Sequence, residues 1–151
     1  MVIGIIGENC SGKSTLAEQI GTALDAGIVT GKDYLRMAKS ESEAKALFQA
    51  KLKDAVSGSN MIYVISEPEQ LDLLPDTAVR ILVTADLETI RQRFRTRMHG
   101  NLPAPVAAML ERKHGMFDSG KYDFRFKSET DDAGALCEEL LKRRKKRHAD
   151  G

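Results

Sequence analysis

The sequence predicts an α/β fold in which a five-stranded parallel sheet carries helices on both faces. Short, continuously apolar runs of strand length alternate along the chain with longer segments whose apolar residues recur at helical spacing. Strands and helices that alternate in this way form parallel sheets covered on both faces. The 151 residues, of which 42% are hydrophobic and 30% charged, fit one globular domain.

The first half of the chain predicts two strands and three helices. Residues 2–6 form the first strand, and a helix follows at about 13–25, where apolar side chains recur at i, i+4 and i+8. Residues 27–30 form a short second strand that turns into a short helix. Ser40 and Glu43 make a capping box for the next helix, and a glycine stops that helix.

The second half of the chain predicts three further strands. Residues 61–66 and 79–86 are continuous apolar runs, as buried parallel strands are. A later helix is delimited by a proline at its start and a glycine after its end. The elements after the fourth strand are a helix from 87 to about 98, the proline-opened helix at 105–114, a weaker strand at 122–128 and a last helix at 131–147.

The segment between the first strand and the first helix is a phosphate-binding loop. Residues 7–15 read Gly-Glu-Asn-Cys-Ser-Gly-Lys-Ser-Thr and contain the motif Gly-x4-Gly-Lys-Ser. Gly7 and Gly12 allow close approaches that a Cβ would block, and the amides from Asn9 to Ser14 would form a nest for an anion. The N-terminus of the following helix adds its unpaired N–H groups. The chain is therefore predicted to adopt the P-loop NTPase fold and to bind a nucleoside triphosphate.

The residues of this loop have predicted roles. Lys13 would reach the β- and γ-phosphates from a solvent-facing loop, the Ser14 hydroxyl would ligate Mg²⁺, and Thr15 would support the α-phosphate. Cys10 would be a small filler. The residues predicted to bind the nucleotide are Gly7, Asn9, Cys10, Ser11, Gly12, Lys13, Ser14 and Thr15.

Polar residues that follow the other strands are further candidates, because ligands of such sheets lie at the carboxyl ends of the strands. Asp33 is predicted to orient or deprotonate the acceptor or to hold the metal shell, and Arg36 to clamp an acceptor phosphate; an N-cap and a surface ion pair are the structural alternatives. Glu67 would hold a Mg²⁺-bound water, or would be only a polar strand end before Pro68. Tyr34 would stack on a base or pack in the core.

The helix after the fourth strand carries four arginines within seven residues. At about 100° per residue, Arg93 and Arg97 lie on one side of its apolar stripe, and Arg91 and Arg95 lie on the other. One pair would face a phosphate cleft, where arginine forks match phosphoryl oxygens, while the other pair faces solvent.

Together these segments resemble the small P-loop kinases, above all the nucleoside monophosphate kinases. Residues 7–15 match their phosphate loop, and residues 30–36 resemble the Thr-Gly-Asp-x-Leu-Arg turn of adenylate kinases, with Lys32 as an extra residue. Residues 83–94 resemble the fourth-strand segment of cytidylate kinases and place Arg93 on their lid arginine.

The rest of the chain extends this resemblance, with two departures. Residues 110–118 are similar to the Glu-Arg-Asp lid helix and would place Arg112 over the transferring phosphoryl group, and residues 122–126 resemble the Tyr-Asp strand of the same family. Residues 93–111 also resemble the shorter adenylate kinases linked to ribosome assembly. The acceptor domain of the family is reduced here to one or two helices at 33–58, and Glu67 replaces the usual Walker B aspartate.

The resemblance implies a single kinase domain, 1–151, that uses ATP and Mg²⁺ to phosphorylate a nucleoside monophosphate, with a lid at 97–105. The residues implied in catalysis are Lys13, Asp33, Arg93, Arg97 and Arg112, those implied in acceptor binding are Asp33, Arg36 and Glu67, and those implied in metal binding are Ser14 and Glu67. Two alternatives stay open. One is a kinase of a small hydroxyl compound, similar to shikimate or gluconate kinases, whose chain length fits better. The other is an assembly ATPase that uses its basic tail, 142–148, on RNA or a ribosomal protein.

The composition of the chain reduces the classes of molecule that it is expected to bind. The net charge is +1, which makes nucleic acid an unlikely partner and leaves a small-molecule phosphate acceptor. Two cysteines suggest neither a disulfide framework nor a metal cluster, and the three histidines show no ligand spacing and are expected at the surface. The absence of a leader or an apolar run long enough for a membrane predicts a cytoplasmic protein. The expected oligomeric state is a monomer or a homodimer.

Overall fold

A computed structural model describes the backbone of residues 1–150 and the side chains of residues 1–145. The strands are β1 (Val2–Ile6), β2 (Gly27–Thr30), β3 (Met61–Ile65), β4 (Val79–Thr84) and β5 (Phe124–Lys127). The α-helices are α1 (Lys13–Leu24), α2 (Glu41–Ala55), α3 (Leu87–Arg97), α4 (Ala104–Lys113) and α5 (Ala133–Asp150). Two 3₁₀ helices span Asp33–Met37 and Pro68–Leu73. The side chains of residues 146–148, which end the predicted basic tail and include His148, lie outside the described residues.

The strands form one parallel sheet in the order β2-β3-β1-β4-β5. β1 lies in the centre, with Ile3 beside Ile62 of β3 and beside Val79 of β4. All five strands, including the weaker β5, begin and end within two residues of their predicted bounds. The predicted fold class, a five-stranded parallel sheet with helices on both faces, is confirmed.

Two apolar cores cover the two faces of the sheet, because successive side chains of a strand point to opposite faces. One core joins Ile3 and Ile5 of β1 to side chains of α1 and α5. The other joins Val2 and Ile6 of β1 to α2 and to both 3₁₀ helices. Tyr34 belongs to this second core: it is 3% exposed and stacks on Phe48 with ring centroids 5.2 Å apart. Of its two predicted roles, packing is therefore the observed one.

A third, smaller cluster joins α3 and α4 at the edge of the phosphate loop. Its buried members are Cys10, Ala85, Ile90 and Leu110, and partly buried side chains such as Phe94 and Val106 pack against them. We call this group the lid cluster. It places the helix pair that carries the arginines directly against the loop, through the side chain of Cys10.

Local sequence accounts for most element ends. The Ser40 hydroxyl accepts a hydrogen bond from the Glu43 amide at 3.2 Å, which is the N-cap half of the predicted capping box; the return bond from the Glu43 side chain is not among the described contacts. The 3₁₀ helix at Pro68–Leu73 was not predicted, although a proline at its first position favours such a start. Within residues 1–150, no helix has both the length and the apolar run needed to cross a bilayer.

Candidate active site

The strand order fixes where a ligand can bind. β1 lies between β3 and β4, so the chain crosses to opposite sides of β1 in its successive connections. Ligands of open parallel sheets bind at the carboxyl ends of the strands where the order reverses in this way. The phosphate loop leaves β1 at that point, and the Gly7 amide donates to the Ile65 carbonyl at 3.1 Å, which holds the loop beside the end of β3.

The backbone of the loop adopts conformations that side chains disfavour. Gly12 has φ +108°, and a Cβ there would lie 2.8 Å from the Ser128 Cβ, so only glycine allows this approach. Cys10 has φ +63° and packs its side chain into the lid cluster. Ser11 is fully buried, and its hydroxyl has no hydrogen-bond partner among the described residues. Gly7 and Ser11 therefore shape the loop from beneath, whereas the other predicted loop residues line the cleft.

Lys13 differs from its predicted setting. Its side chain was expected at a solvent-facing loop, yet the residue is only 7% exposed. Its Nζ donates to the Glu8 carbonyl at 2.6 Å. Burial lowers the pKa of Lys13 from its ordinary 10.5 to about 8; the Arg97 charge acts in the same direction, and Cys10 and Glu8 oppose it. The loop is thus closed around an ammonium that lacks an anionic partner at contact distance among the described residues.

A cleft of about 730 Å³ opens beside the loop. Its floor is formed by Asn9, Cys10, Gly12, Lys13, Ser14 and Thr15. Ser128, Asp131 and Asp132, from the segment between β5 and α5, also line the cleft, as do Thr30 at the end of β2 and Ser66 directly after β3. The cleft is therefore large enough for an elongated ligand whose anionic part lies on the loop.

The two flanks of α3 have different surroundings. Arg93 and Arg97 line the cleft. Arg91 instead pairs with Glu88 at 3.6 Å and with Glu111 at 3.5 Å, and Arg95 approaches Glu88 at 3.9 Å. The helical periodicity of the sequence anticipates this division, because it places the two pairs on opposite sides of the apolar stripe.

Arg93 and Arg97 are held differently. Arg93 Nη1 donates to the Cys10 carbonyl at 3.1 Å and to the Ser128 hydroxyl at 3.0 Å, so it connects the phosphate loop to the segment after β5. Arg97 makes no hydrogen bond or ion pair in the part of the chain with described side chains, although it is near enough to Lys13 to influence its pKa. Arg93 thus holds two segments together, and we call it the brace. Arg97 has no partner among the described side chains, and we call it the free cation.

The acceptor-side candidates are exposed. Asp33 and Arg36 lie on the 3₁₀ helix after β2 and do not line the cleft. Across the described side chains, neither forms a hydrogen bond or an ion pair, and the helix lacks a side-chain cap. Arg112 is likewise exposed on α4, away from the cleft lining.

Glu67 is better organised than sequence reasoning anticipated. Gln70, only 6% exposed, accepts hydrogen bonds through Oε1 from the amides of Ser66 at 3.1 Å and Glu67 at 3.3 Å. The Glu67 carboxylate lies 3.4 Å from Lys113 Nζ. Gln70 and Lys113 were not predicted at the site. Gln70 follows Glu67 by three residues, which is the spacing of a capping box, so the sequence did contain a signal for the role of Gln70.

The predicted magnesium ligands suit that metal. Mg²⁺ is usually held by one or two carboxylates, waters and substrate phosphates. Ser14, which lines the cleft, and Glu67 both offer oxygen atoms, but Glu67 lies outside the cleft lining and its carboxylate is paired with Lys113. Among the described residues, no group of three or more histidine, cysteine, aspartate or glutamate side chains could hold a metal ion. A metal here would depend on nucleotide phosphates for most of its ligands.

Comparison with protein-family models and with curated proteins finds no match for this chain. Solved structures do match it. A sugar kinase from Janibacter sp. HTCC2649 has a TM-score of 0.62 at 15% identity, covering 93% of this chain and 92% of its own. Shikimate kinase from Aquifex aeolicus has a TM-score of 0.53 at 18% identity over the whole of both chains. A gluconokinase from Sinorhizobium meliloti has a TM-score of 0.57 at 13% identity, covering 93% and 89%. These similarities show that the chain shares its fold with these three proteins.

Proposed function

We propose that this protein is an ATP-dependent kinase that transfers the γ-phosphoryl group to a small acceptor, most favourably a nucleoside monophosphate. One observation carries the proposal: Lys13, Arg93 and Arg97 converge on one cleft at the reversal of strand order, over a loop shaped to bind phosphate. Phosphoryl transfer depends mainly on positioning and on neutralising the charge of the equatorial oxygens. Three cations over an amide nest suit that task.

Each cation of the cleft would have its own role in phosphoryl transfer. Lys13 would hold the β- and γ-phosphates, and Arg93 would keep the loop and the segment after β5 in register. Arg97 would turn toward the transferring group when the lid at 97–105 closes, and Arg112 would approach from α4 in the same movement. Ser14 and Glu67 would hold Mg²⁺, which neutralises phosphate charge when bound.

The preference for a monophosphate rests on Arg36. Arg36 lies on the 3₁₀ helix that follows β2, outside the cleft lining, and it is exposed and has no partner among the described residues. A free guanidinium can bind phosphate oxygens with two parallel hydrogen bonds. Asp33, three residues earlier on the same 3₁₀ helix, would orient the acceptor.

A second candidate is a kinase of a small hydroxyl compound. The matched sugar kinase, shikimate kinase and gluconokinase support it, because their names specify such acceptors and the similarity spans nearly their whole lengths. In that case Asp33 would accept the hydroxyl proton, as a general base close to the attacking oxygen does.

One experiment separates the candidates: ADP release from ATP and Mg²⁺ across a panel of nucleoside monophosphates and small hydroxyl metabolites, with Lys13→Ala as the matched inactive control. Turnover that requires a monophosphate supports the proposal, and turnover that requires a hydroxyl compound supports the second candidate. ADP release that is independent of every acceptor would indicate the assembly ATPase instead. If the wild type releases no more ADP than the Lys13→Ala variant under any condition, the kinase proposal is wrong.

A further inference from the structure

The phosphate loop contains a carboxylate, Glu8, at a place where negative charge repels the expected ligand. Its side chain is only 12% exposed, so water screens it little. Sequence reasoning gave Glu8 no role. A buried carboxylate needs hydrogen-bond donors to offset its desolvation, and the identity of those donors shows what it does.

The donors of Glu8 lie at the end of α4. Oε2 accepts a hydrogen bond from the Gly115 amide at 3.1 Å, and Oε1 lies 3.1 Å from Nδ1 of His114. An ionised carboxylate only accepts, so this Nδ1 carries the hydrogen. His114, expected to be an ordinary surface residue, therefore contacts the phosphate loop from a position 106 residues further along the chain.

The backbone of the same residue is bonded to the candidate catalytic lysine. The Glu8 carbonyl accepts from Lys13 Nζ at 2.6 Å and from the Ser11 amide at 3.2 Å. Glu8 thus contacts Lys13 through its carbonyl and the end of α4 through its side chain. This single residue therefore links Lys13 directly to the end of α4.

The end of α4 is where lid movement would be controlled. Arg112 and Lys113 directly precede the two residues that Glu8 binds, and Lys113 reaches Glu67 on the other side of the loop at 3.4 Å. Gly115 has φ +79°, and a Cβ there would lie 3.1 Å from an Asp118 carboxylate oxygen, so the chain turns sharply at this point. A fixed turn at one end of a helix is the point about which the helix can swing.

We infer that Glu8 is a positioning residue that anchors the C-terminal end of α4 to the phosphate loop and so sets the distance between Lys13 and the cations Arg112 and Lys113. This inference rests on the proposed kinase function. The anchored end would act as a pivot, at which Arg112 turns toward the phosphate loop while the loop between α3 and α4 moves. Binding of phosphates by the loop would then be transmitted directly to the helix that closes over them.

Loss of the anchor should affect transition-state contacts more than ATP binding. Glu8→Ala removes both side-chain contacts but leaves the carbonyl that binds Lys13. We expect kcat to fall roughly 10- to 100-fold, because small misplacements of catalytic groups have effects of this size. ATP affinity without acceptor should stay within about threefold of the wild type, since no predicted phosphate contact is removed.

Three further variants sharpen the experiment. Glu8→Gln keeps an oxygen for the Gly115 amide and should recover much of the lost kcat. His114→Ala removes only one contact and should fall between the wild type and Glu8→Ala. Glu111→Ala is the matched control, because it removes an exposed carboxylate of the same helix, one that pairs with Arg91, and should leave kcat unchanged.

Amide hydrogen exchange measures the anchor without any turnover. In Glu8→Ala the amide of Gly115 should exchange at least about tenfold faster than in the wild type, and ATP should protect residues 112–116 less. Glu111→Ala should change neither value. Thermal unfolding shows whether Glu8→Ala is still folded. If it is not, the kcat and exchange values of Glu8→Gln and His114→Ala test the anchoring role instead.

The outcomes separate this inference from the proposed function. If the wild type phosphorylates no acceptor, the kinase proposal fails, and exchange at Gly115 with and without ATP still decides whether Glu8 is the anchor. Wild-type kcat together with wild-type exchange in Glu8→Ala overturns the inference. It is also overturned if ATP affinity falls as far as kcat, because Glu8 would then act in nucleotide binding.

Discussion

The cleft at the phosphate loop, called here the nucleotide half of the proposed site, and the 3₁₀ helix at Asp33–Met37, called its acceptor half, differ in how firmly their side chains are held. In the nucleotide half, Lys13 is buried and bonded to a carbonyl, and Arg93 is bonded to two separate segments. In the acceptor half, Asp33 and Arg36 are exposed, and neither has a hydrogen-bond or ion-pair partner among the described residues. These two side chains of the nucleotide half are held by the protein itself, whereas Asp33 and Arg36 are not held by any other described side chain.

This difference has energetic consequences. Groups that are fixed in advance stabilise developing charge without reorganising during the reaction. Long side chains that are free lose rotamer freedom on binding, at about 0.5–1.5 kcal/mol each, and so bind more weakly than their contacts suggest. Substitutions in the nucleotide half should therefore affect the rate, and substitutions in the acceptor half should affect the acceptor KM.

The largest effect is expected for Lys13→Ala. It removes the buried cation of the nucleotide half, so kcat/KM for ATP should fall by roughly 1,000-fold or more. The fold should persist, because the Glu8 carbonyl keeps the Ser11 amide as a donor. Steady-state kinetics and thermal unfolding of the purified variant test both statements. Near-wild-type turnover would contradict the phosphate-loop assignment.

The next effect divides the two arginines of the cleft. Arg97→Ala should lower kcat by roughly 100- to 1,000-fold with little change in ATP affinity, because a free cation that moves in only for the transition state contributes only there. Arg93→Ala should lower both kcat and ATP affinity, since its loss also releases Cys10 and Ser128. Titration with ATP in the absence of acceptor distinguishes these patterns. If kcat and ATP affinity change by the same factors in Arg93→Ala and Arg97→Ala, the two arginines do not have the separate roles inferred from their contacts.

Sequence alone could place together the loop residues that line the cleft. The residues of the loop are contiguous, and their chemistry follows from the motif together with the strand before it and the helix after it. The division of the α3 arginines follows from helical periodicity, which is likewise local. The parallel sheet followed from alternating strands and helices, whose bounds depend on nearby residues.

What sequence missed depends on contacts between distant segments. The pairing of Glu8 with His114 and Gly115 joins residues more than 100 positions apart, and no local pattern marks it. The burial of Lys13 arises from the loop closing over it, whereas the motif alone suggested an exposed side chain. Asp33 and Arg36 were predicted from neighbouring residues, but their distance from an acceptor depends on which ligand binds.

In the acceptor half, Arg36→Ala should raise the KM for a monophosphate by roughly 10- to 100-fold, the size expected for one charge-assisted hydrogen bond. ATP affinity should not change, because Arg36 lies outside the nucleotide part of the cleft. Lys32→Ala, at the neighbouring exposed position, is the matched control. If Arg36→Ala leaves the KM unchanged while a hydroxyl compound is phosphorylated, the second candidate function is favoured.

The lowered pKa of Lys13 predicts a pH dependence of about tenfold. With a pKa of about 8 in the free protein, about one molecule in eleven carries the ammonium at pH 9, so ATP binding in the absence of metal should be about tenfold weaker there than at pH 7. The sign for stability is the reverse. The unfolded chain binds the Lys13 proton more tightly, so burial of this group destabilises the nucleotide-free fold at neutral pH, and that penalty is progressively relieved as pH rises from about 8 toward 10.5.

Lys13→Arg serves as the control for this pH dependence, since a guanidinium stays charged throughout the range. Its ATP affinity should be flat between pH 7 and 9, whatever its absolute value. Equilibrium titrations at several pH values provide the test, and a wild-type affinity that is equally flat would show that burial does not displace this proton.

The smallest effect is expected on the outer flank of α3, where Arg91 and Arg95 pair with Glu88 and Glu111 on exposed surface. Exposed ion pairs of this kind contribute about 0–1 kcal/mol, because solvent screens them and ordering the side chains costs entropy. Arg91→Ala and Arg95→Ala should therefore change the free energy of unfolding by no more than about 0.5 kcal/mol and leave kcat as in the wild type.

These two variants test the comparison most strictly, because they alter the same residue type on the same helix as Arg93 and Arg97 and differ only in the flank. Removing any arginine lowers the net charge by one, so a general electrostatic effect on ATP would appear equally in all four variants. Only the geometry of the cleft predicts that two of them lose activity and two do not. If Arg91→Ala and Arg95→Ala are the inactive pair, α3 presents its other flank to the bound nucleotide, and the cleft must rearrange on binding.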